Sequence, residues 1–534
     1  MTSGMNPTSN RDSQLDRLAA ADGPVDVLVI GGGIVGSGVA RDAAMRGLST
    51  LLVDRYDFAF GTSSRSSRLL HGGLRYLAQG RVGLVHEAST EKVTLSKIAP
   101  HLASPLPFVF PTYKRDGWPR WKLRVGVKLY DLLCGGRNLG KSRGLSPTAA
   151  AGLLPGLRTD QLTGGVRYYD GLTNDARLVL DTLRSAAAAG ATVLNYLSLT
   201  SAERRGDLWH CHLTDADGGR RLTVQARTVV NAAGAWATQL PSSRVRLRLT
   251  KGVHVVVEKH RLPAAEAVVM TDGTRILFVI PWGDRTILGT TDTDYDGPLE
   301  SPDCTAEDVA YVLKITNRTF PAAGLTPADV ISAWSGLRPL IADPKGKPSD
   351  VSRAHQILDG EPGWLDVAGG KLTTYRLMAE QAVDRVATYL GRTTPACRTA
   401  AEPILTTAAN SGSPPAGDAT AADAGFSGVV PPAVSESAVA HFCRREWGRH
   451  LDDVMIRRTS WRYYHRDHLE VAARVADWMA AALGWTPERT AAELDRYREM
   501  TAPLAATWVP PSGVDDPAAA AASGASRRAA LAVG

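Results

Sequence analysis

Cysteine is scarce in this sequence of 534 residues, and the five cysteines lie far apart without forming a CxxC pair. Such spacing argues against a zinc site, and it argues against the disulfide framework of small secreted domains. We therefore expect a protein of a reducing compartment, the cytoplasm. The five residues are Cys134, Cys211, Cys304, Cys397 and Cys443.

Long apolar runs are missing as well. No uninterrupted apolar stretch approaches the roughly 20 residues that a helix needs to span a bilayer. The polar segment from Met1 to about Ala20 also lacks the apolar run of a signal peptide. Any contact with a membrane is therefore expected to be peripheral, on the inner face of the cell membrane.

Dense blocks of Lys and Arg are absent, although the formal net charge is +7. We find no nucleic-acid-binding module, so nucleic acid is not expected as a ligand. A mildly basic surface still suits an anionic substrate or anionic lipid. With 44% hydrophobic and 22% charged residues, the composition is that of an ordinary globular protein. The length predicts two or three domains.

A glycine-rich turn lies between two short apolar segments near the start of the chain. Val25 to Ile30 predicts a strand, Ile34 to Arg46 has helical spacing, and Leu48 to Val53 predicts the next strand. This strand, turn, helix and strand form one βαβ unit, the context in which a glycine motif carries weight.

The turn itself has the G-x-G-x-x-G spacing with Gly31, Gly33 and Gly36. The first glycine permits a tight turn, the second lets the backbone approach a pyrophosphate, and the third lets the helix pack on the strand. Asp54, at the end of the second strand, is placed to accept hydrogen bonds from an adenosine ribose. The motif predicts a dinucleotide cofactor, but its geometry does not separate FAD from NAD.

Two later passages have the same character. Arg227 to Asn231 predicts a strand that runs into Ala232 to Trp236, and Trp364 to Val367 predicts another that runs into Gly369 and Gly370. A helix from about Thr373 to Tyr389 follows. We therefore predict an α/β fold with a Rossmann-like domain assembled from discontinuous segments, an inserted β-rich substrate domain and a C-terminal helical domain.

The predicted boundaries follow from these patterns and from composition. We divide the chain into a disordered tail (1–24), the cofactor domain (25–100, 165–245 and 350–392), the substrate domain (101–164 and 246–349), a linker (398–435), the helical domain (436–503) and a second disordered tail (504–534). Within the helical domain, Trp447, Trp461 and Trp478 are available for a small core.

The segment from Gly61 to Tyr76 is dense in hydroxyls and glycines. Such a segment suits the wrapping of a long, flexible cofactor chain. The same composition is found in mobile surface loops, and composition alone does not decide between the two.

The stretch DFAFGTSSRSSRLLHGGLRYL (Asp57 to Leu77) resembles the signature of the FAD-dependent glycerol-3-phosphate dehydrogenases, the respiratory flavoenzymes. The resemblance covers about residues 25 to 390 in order, and the region 452–467 resembles the family's C-terminal cap less strictly. The further matching motifs are GLTNDARLVL (171–180), VVNAAGAW (229–236), KGVHVVV (251–257), FVIPWGDRTILGTTDTDYDG (278–297), WSGLRPL (334–340) and VAGGKLTTYR (367–376).

This resemblance implies oxidation of sn-glycerol 3-phosphate to dihydroxyacetone phosphate by hydride transfer to flavin N5, with electrons passed to a membrane quinone. It implies a substrate pocket of Arg75, His254, Arg338, Arg353 and Lys371. The cofactor contacts that we predict are Gly31, Gly33, Gly36, Asp54, Thr62, Ser63, Ser64, Ser67, His71, Gly72, Gly73, Gly234, Gly370, Lys371, Leu372 and Thr373. The sequence departs from the family at Ala235, where many members have Pro, and around Arg353, where only the Arg matches.

The residue types suit this reaction. A phosphate dianion needs several charge-assisted donors, and Arg offers a planar bidentate fork. The ordinary pKa of a histidine suits His254 to accept the proton of the C2 hydroxyl. We expect Arg338 to be the second catalytic residue, and the excess positive charge of the pocket to stabilise the developing alkoxide. Taken without the family, a His in an alternating strand or an Arg in a loop is more often structural than a ligand.

Basic and aromatic residues alternate along Trp118 to Leu133. On a helix, Trp118, Trp121, Val125, Leu129 and Leu132 share one face, and Arg120, Arg124 and Lys128 lie beside it. This pattern fits an interfacial helix on anionic lipid. A helix that packs between domains, with its basic side chains extended to water, has the same pattern.

The expected partners are thus sn-glycerol 3-phosphate, a membrane quinone, membrane lipid and an oligomer such as a dimer. Two alternatives stay open from the sequence. One is an oxidase that returns the electrons to oxygen, and the other is a flavin-binding protein without turnover.

Overall fold

The computed structural model describes residues 11–21, 23–78, 80–114, 118–136, 138–273, 275–342, 355–405 and 426–501. The helices are α1 (Arg11–Ala19), α2 (Ile34–Met45), α3 (Leu74–Ala78), α4 (Val82–Ile98), α5 (Arg120–Leu133), α6 (Pro147–Leu153), α7 (Asp175–Ala188), α8 (Ala306–Thr319), α9 (Tyr375–Tyr389), α10 (Glu436–Arg445), α11 (Trp461–Tyr464), α12 (His468–Leu483) and α13 (Pro487–Thr501). The strands are β1 (Val25–Ile30), β2 (Thr50–Val53), β3 (Leu69–Leu70), β4 (Ser104–Tyr113), β5 (Arg143–Leu145), β6 (Leu162–Leu172), β7 (Thr192–Leu194), β8 (Leu197–Arg205), β9 (Leu208–Asp215), β10 (Arg221–Asn231), β11 (Leu247–Glu258), β12 (Ala267–Asp272), β13 (Arg275–Trp282), β14 (Arg285–Gly289), β15 (Thr293–Asp294), β16 (Val330–Ile341), β17 (His355–Asp359) and β18 (Trp364–Gly369).

The first sheet has the order β17-β18-β10-β1-β2-β7, with β8 and β9 paired beside β10. Its central strands are parallel, and Val29 of β1 lies opposite Val230 of β10 and Leu52 of β2. Helices α2, α7 and α9 cover one face of these strands, and α1, β8 and β9 pack on the other face. Burial on both faces explains their continuous apolar runs. The sheet takes β1, β10 and β18 from distant parts of the chain, and the predicted discontinuous Rossmann-like domain is confirmed.

The second sheet is mixed and has ten strands. Its longest pairing joins β11 to β16, and it places His254 opposite Trp334. Strand β6 pairs with β4 in this sheet, so the cofactor-domain segment that we predicted to begin at 165 includes the end of a substrate-domain strand. The difference arises because partner choice between strands depends on contacts that lie far apart in sequence.

The C-terminal helices form a separate core that includes Trp461, with Trp478 packed against it, as expected for a helical domain. Trp447 differs from the prediction because it packs edge-on against Phe58 of the first domain, with ring centroids 5.3 Å apart. The two domains are also joined by a buried ion cluster, in which Asp57 accepts hydrogen bonds from Arg457 and Arg458.

The prediction that residues 1–24 form a disordered tail is partly wrong. Helix α1 buries Leu15, and the Arg11 guanidinium donates to Asp215 Oδ1 at 2.7 Å. The polar composition of this segment gives little indication of order, because the segment is held by a contact with Asp215 of the distant strand β9. The predicted linker, 398–435, falls partly on 406–425, which lies outside the described residues. The predicted C-terminal tail, 504–534, lies wholly outside them.

Candidate active site

The glycine turn connects β1 to α2 and brings the two elements into direct contact. Gly31 has φ of +106°, and its amide donates to Val53 O at 2.8 Å. A Cβ at Gly36 would lie 1.9 Å from Gly31 O, so a larger residue there would force α2 away from the turn. Gly36 therefore acts through packing, whereas Gly31 and Gly33 line the cavity beside it.

Asp54 follows β2 and is held by two backbone amides. Its Oδ2 accepts from Gly32 N at 2.6 Å, and its Oδ1 accepts from Tyr56 N at 2.8 Å. Burial raises the pKa of this carboxyl to about 7, against the opposing effect of those two bonds. A ribose that offers two more donors would stabilise the charged form, as expected of an adenosine-binding acid.

The hydroxyl-rich segment folds against the start of α2. Ser63 Oγ accepts from the Ile34 amide at 3.1 Å, while Thr62 Oγ1 donates to Leu337 O at 2.6 Å. Both residues line the cavity. Ser64 is buried behind them, and its hydroxyl has no hydrogen-bond partner among the described residues. The segment is therefore an ordered wall of the cavity, and the alternative of a surface loop is wrong.

Two segments that lie 300 residues apart meet at the next part of the wall. The His71 amide donates to Thr373 Oγ1 at 3.0 Å, and Thr373 Oγ1 donates back to His71 O. His71 lines the cavity together with Gly370, Lys371 and Leu372. Helix α9 begins at Tyr375, later than expected, because Leu372–Thr374 forms a short 3-10 turn in front of it.

Lys371 carries the ammonium at this end of the cavity. Its Nζ lies 4.1 Å from the centroid of the Tyr76 ring, a cation–π contact on the short helix α3. Arg75 belongs to the same helix, but its side chain lies outside the described part of the structure.

His254 lies on β11 and faces the cavity from the second sheet. Its Nε2 is 2.8 Å from Ser67 Oγ, and its ring stacks on Trp334 with centroids 5.2 Å apart. Burial, together with the positive charges of Arg338 and Arg68, lowers the pKa of His254 to about 3. The ring is therefore neutral at physiological pH, which leaves a nitrogen able to accept a proton.

Arg338 extends from β16 towards the same region. Its guanidinium donates to Asp292 at 3.2 Å and to Thr290 Oγ1 at 3.0 Å. A Cβ at Gly252 would lie 2.3 Å from Arg338 Nη2, so Gly252 makes the space that this side chain occupies. Nothing in the sequence distinguishes Gly252, because its contact with Arg338 links two strands and residues 86 positions apart.

A single cavity of about 420 Å³ joins most of the predicted site residues. Those that line it are Gly31, Gly33, Asp54, Thr62, Ser63, Ser67, His71, Gly234, His254, Arg338, Gly370, Lys371 and Leu372. Those that lie behind its wall are Gly36, Ser64, Gly72, Gly73 and Thr373. Arg353 falls in 343–354, outside the described residues. The individual roles of all these residues stay predictions.

Several lining residues were missed. Tyr56 and Phe60 stack with ring centroids 4.3 Å apart close to Asp54. The Tyr56 hydroxyl and the Trp236 indole N–H both donate to Glu300 Oε1, at 3.2 and 3.1 Å. Arg65 also lines the cavity, and it donates to Glu300 O at 3.2 Å. The aromatic residues around Asp57 in the sequence were a usable signal for this aromatic wall.

Helix α5 packs on the domain through Leu123, Val127 and Tyr130, which are buried. Its other side carries the apolar face that was predicted, and this face is open: Trp121, Val125 and Leu132 are 65%, 62% and 70% exposed. Packing against the protein accounts for the buried residues of α5. It does not account for the exposed apolar residues, which nothing in the described structure covers.

Within the described residues, no helix combines the length and apolarity required for crossing a bilayer.

Two family profiles match the chain. Residues 26–376 match the family described as FAD dependent oxidoreductase, and residues 404–490 match the C-terminal domain of alpha-glycerophosphate oxidase. The fold and cavity are accordingly those of a flavin-dependent oxidoreductase, and the chain binds FAD. The glycine cradle at Gly31 and Gly36 and the partly buried Asp54 carboxyl fit the two ends of its adenosine diphosphate moiety.

Comparisons with individual proteins narrow the family. The glycerol-3-phosphate dehydrogenase of Mycobacterium leprae is 37% identical over 513 residues, which are 88% of this chain and 87% of that one. Glycerol-3-phosphate dehydrogenase 2 of Mycobacterium tuberculosis is 42% identical over 372 residues, 68% of this chain and 63% of that one. The structure of the Bacillus halodurans glycerol-3-phosphate dehydrogenase complexed with FAD superposes with a TM-score of 0.75 at 29% identity, covering 93% of this chain and 98% of that one. The chain belongs to the FAD-dependent glycerol-3-phosphate dehydrogenase family, and the resemblance found in the sequence is confirmed.

Proposed function

We propose that this enzyme oxidises sn-glycerol 3-phosphate to dihydroxyacetone phosphate. One observation carries the proposal. The neutral His254 and the cationic Arg338 and Lys371 all line the wall of the same dinucleotide cavity. Two fixed cations suit a phosphate dianion, and a neutral imidazole suits proton removal from an alcohol. The names of the related proteins support the same substrate.

Oxidation of the secondary alcohol removes a hydride from C2 and a proton from its hydroxyl, which leaves a carbonyl. FAD, when bound, supplies the hydride acceptor. In this proposal, Arg338 and Lys371 hold the phosphate and orient C2, and His254 accepts the proton at a ring nitrogen. A dianion that enters the cavity offsets the positive charges that disfavour protonation of His254, and so the base becomes stronger when the substrate is present.

Anaerobic addition of sn-glycerol 3-phosphate to the purified holoenzyme tests this function. We expect rapid loss of the oxidised flavin absorbance, complete at about one equivalent of substrate. Glycerol, which lacks the phosphate, serves as the matched control and should cause no rapid change. An unchanged spectrum with both compounds would overturn the proposal and would favour a flavin-binding protein without turnover.

For the electron acceptor, we propose a membrane quinone, reached at the inner face of the cell membrane. The open apolar face of α5 supports this, since Trp121 and Leu132 protrude beside the basic Arg124. Apolar and aromatic side chains flanked by cations suit the boundary between headgroups and acyl chains of anionic lipid. The protein would then be cytoplasmic and bound peripherally. A dimer remains an expectation.

Oxygen is the second candidate acceptor, and one finding favours it: residues 404–490 match a C-terminal domain described from alpha-glycerophosphate oxidase. The two acceptors are separated by measuring peroxide per substrate oxidised, with and without a soluble quinone analogue. We expect quinone reduction with little peroxide. Stoichiometric peroxide that a quinone does not suppress would identify an oxidase.

A further inference from the structure

Arg68 is a buried arginine that the proposed mechanism does not use. It precedes β3 and has φ of +57°, a left-handed conformation that is uncommon for a residue with a side chain. Its guanidinium lies over Trp282, 4.4 Å from the ring centroid, and near Trp334 at 5.3 Å. Its Nη2 donates to Ser460 Oγ at 2.9 Å, across the boundary to the C-terminal domain.

The hydrogen bonding of this guanidinium is incomplete. Its Nε and Nη1 are buried and have no hydrogen-bond partner among the described residues. Burial lowers the pKa of Arg68, and the carboxylate of Asp175 opposes this effect. A buried cation with unpaired donors is costly, and an apolar side chain between two indoles would avoid that cost. Packing alone therefore gives a poor account of an arginine here.

Arg68 is linked to His254 by two routes. Its neighbour in sequence, Ser67, lies 2.8 Å from His254 Nε2, and Trp334 contacts both the Arg68 guanidinium and the His254 ring. The charged groups that act on His254 are Arg338 from β16 and Arg68 from this loop. From β14, the residue opposite His254 is Gly289, which carries no side chain.

We propose that Arg68 is a positioning residue for the oxidation, which fixes the His254 ring through Ser67 and Trp334 and places a permanent positive charge near it. This inference rests on the proposed function only for its effect on rate. The C-terminal domain takes part through Ser460, which holds the guanidinium. The expected consequence is that His254 stays unprotonated in acid until an anionic substrate enters.

The sign of the effect follows from the charge. Removing a cation near His254 makes protonation easier, and the pKa of His254 rises. In Arg68→Met, the acid limb of kcat/KM should therefore move to higher pH, by about one pH unit. Arg68→Lys, which restores a positive charge, should return the limb towards its original position. Arg318→Met removes an exposed arginine paired with Asp272 and serves as the control.

The decisive measurement follows His254 itself in the holoenzyme. Histidine labelled with 13C at Cε1 gives a resonance that can be assigned by its loss in His254→Gln. We expect a titration midpoint below pH 4 in the parent and a higher midpoint in Arg68→Met, with the Arg68→Lys midpoint between them. This measurement needs no turnover, so a failure of the proposed function would be seen separately, in the absence of flavin reduction by substrate.

A lowered thermal midpoint in Arg68→Met, with the His254 resonance and the acid limb unchanged, would overturn the proposal and leave Arg68 a structural residue. If Arg68→Met does not fold, Ser460→Ala keeps the charge and removes one hydroxyl that holds it. We expect a several-fold lower kcat, an unchanged KM and a shifted His254 resonance in that variant. An unaltered kcat and resonance in Ser460→Ala would equally overturn the proposal.

Discussion

The Tyr130 hydroxyl accepts a hydrogen bond from the Gly72 amide at 2.7 Å, and so joins helix α5 to the glycine pair behind the cavity wall. The same hydroxyl donates to Asp170, which is also paired with the buried Lys92. A Cβ at Gly72 would lie 2.6 Å from the Tyr130 hydroxyl, so the two residues fit together without spare room. The helix with the open apolar face is thus bonded to the layer directly behind the wall of the flavin site.

Tyr130→Phe should destabilise the protein and weaken FAD retention. The change leaves the buried Gly72 N–H without its partner and leaves Asp170 with Lys92 alone, at a cost of about 1–3 kcal/mol in the free energy of unfolding. Urea unfolding and the flavin retained after gel filtration measure the two effects. Tyr311→Phe removes a similar bond, to Asp272 in the substrate domain, and should leave flavin retention unchanged. Full retention and stability in Tyr130→Phe would show that the bond is dispensable.

Gly36→Ala should yield protein that holds FAD poorly. The new methyl group would overlap Gly31 O, and α2 would have to move away from the phosphate-binding turn. We expect the ratio of flavin to protein absorbance to fall at least ten-fold. Gly83→Ala, on α4 where a Cβ meets nothing within 4 Å, is the matched control and should retain its flavin. A normal flavin content in Gly36→Ala would contradict the close packing.

His254→Gln should reduce kcat by about 10²- to 10⁴-fold, the usual contribution of a general base. FAD should remain bound, because the His254 ring contacts Ser67 and makes no hydrogen bond to the glycine motif among the described residues. Rapid flavin reduction by substrate, followed by stopped flow, isolates the chemical step. The control is His212→Gln on the exposed side of β9, which bonds to Thr223. A decrease of less than ten-fold would assign the base to another group.

The triple variant Trp121→Ser, Val125→Ser and Leu132→Ser should lose binding to vesicles that contain phosphatidylglycerol, by at least ten-fold in partition coefficient. Activity with a soluble dye should persist. Leu469→Ser, an exposed leucine on α12, controls for the general loss of surface apolarity. Undiminished vesicle binding by the triple variant would remove α5 as the membrane contact.

The charge contribution is best tested at Arg124. Lys128 donates to Ser142 O, and Arg120 donates to Thr163 O, so reversal of charge at those positions also breaks structural bonds. Arg124 is exposed. Arg124→Glu should weaken vesicle binding more at low salt than at high salt, because salt screens the attraction to lipid.

A pH dependence of stability should arise at His450, which joins the C-terminal domain to Asp217 of the first domain. Burial disfavours its charge, but hydrogen bonds to Asp217 and Glu493 outweigh burial and raise the pKa to about 10. Because the folded pKa is raised, the stabilisation is complete below pH 6.5 and is lost as pH rises through about 10.

In His450→Gln, the thermal midpoint should be lower at pH 6, and its decline between pH 6.5 and 10 should be shallower than in the parent. Arg489 also approaches the His450 ring, at 3.2 Å, and its positive charge limits the effect. Thermal scans of the holoenzyme at five pH values provide the measurement. Parallel pH profiles for the two proteins would assign the dependence to other groups.

The parts of the fold that could be predicted are those with a local pattern. The conformation of the glycine turn between β1 and α2 depends on neighbouring residues. The strand, the helix and the acidic residue that accompany such a turn could all be recognised in the sequence. The membership of β6 in the second sheet could not be predicted, because β6 pairs with β4 although helices α5 and α6 and strand β5 lie between them in the sequence. Helix α1 was missed for the same reason, since Arg11 is held by Asp215.

The candidate site, like the fold, could be predicted only in part. His254, Arg338 and Lys371 came from motifs that are long enough to carry a family resemblance. Gly252 and Arg68 also lie in such motifs, but nothing in a motif distinguishes them from their neighbours. Their importance lies in the atoms that surround them: Arg338 beside Gly252, and two indoles with Ser460 around Arg68. Roles of this kind depend on three-dimensional neighbours, which one sequence does not reveal.

The order of strands in the first sheet has a consequence for how the enzyme is made. Strand β1 pairs with β10, and β10 pairs with β18, so the sheet that supports the glycine turn is incomplete until residue 369 has been synthesised. The wall at Gly370 to Thr373 follows immediately. A ribosome that carries an unfinished chain therefore exposes a glycine turn with no closed pocket beside it. We therefore expect FAD capture to be a late event in biosynthesis, after the whole substrate domain has emerged from the exit tunnel.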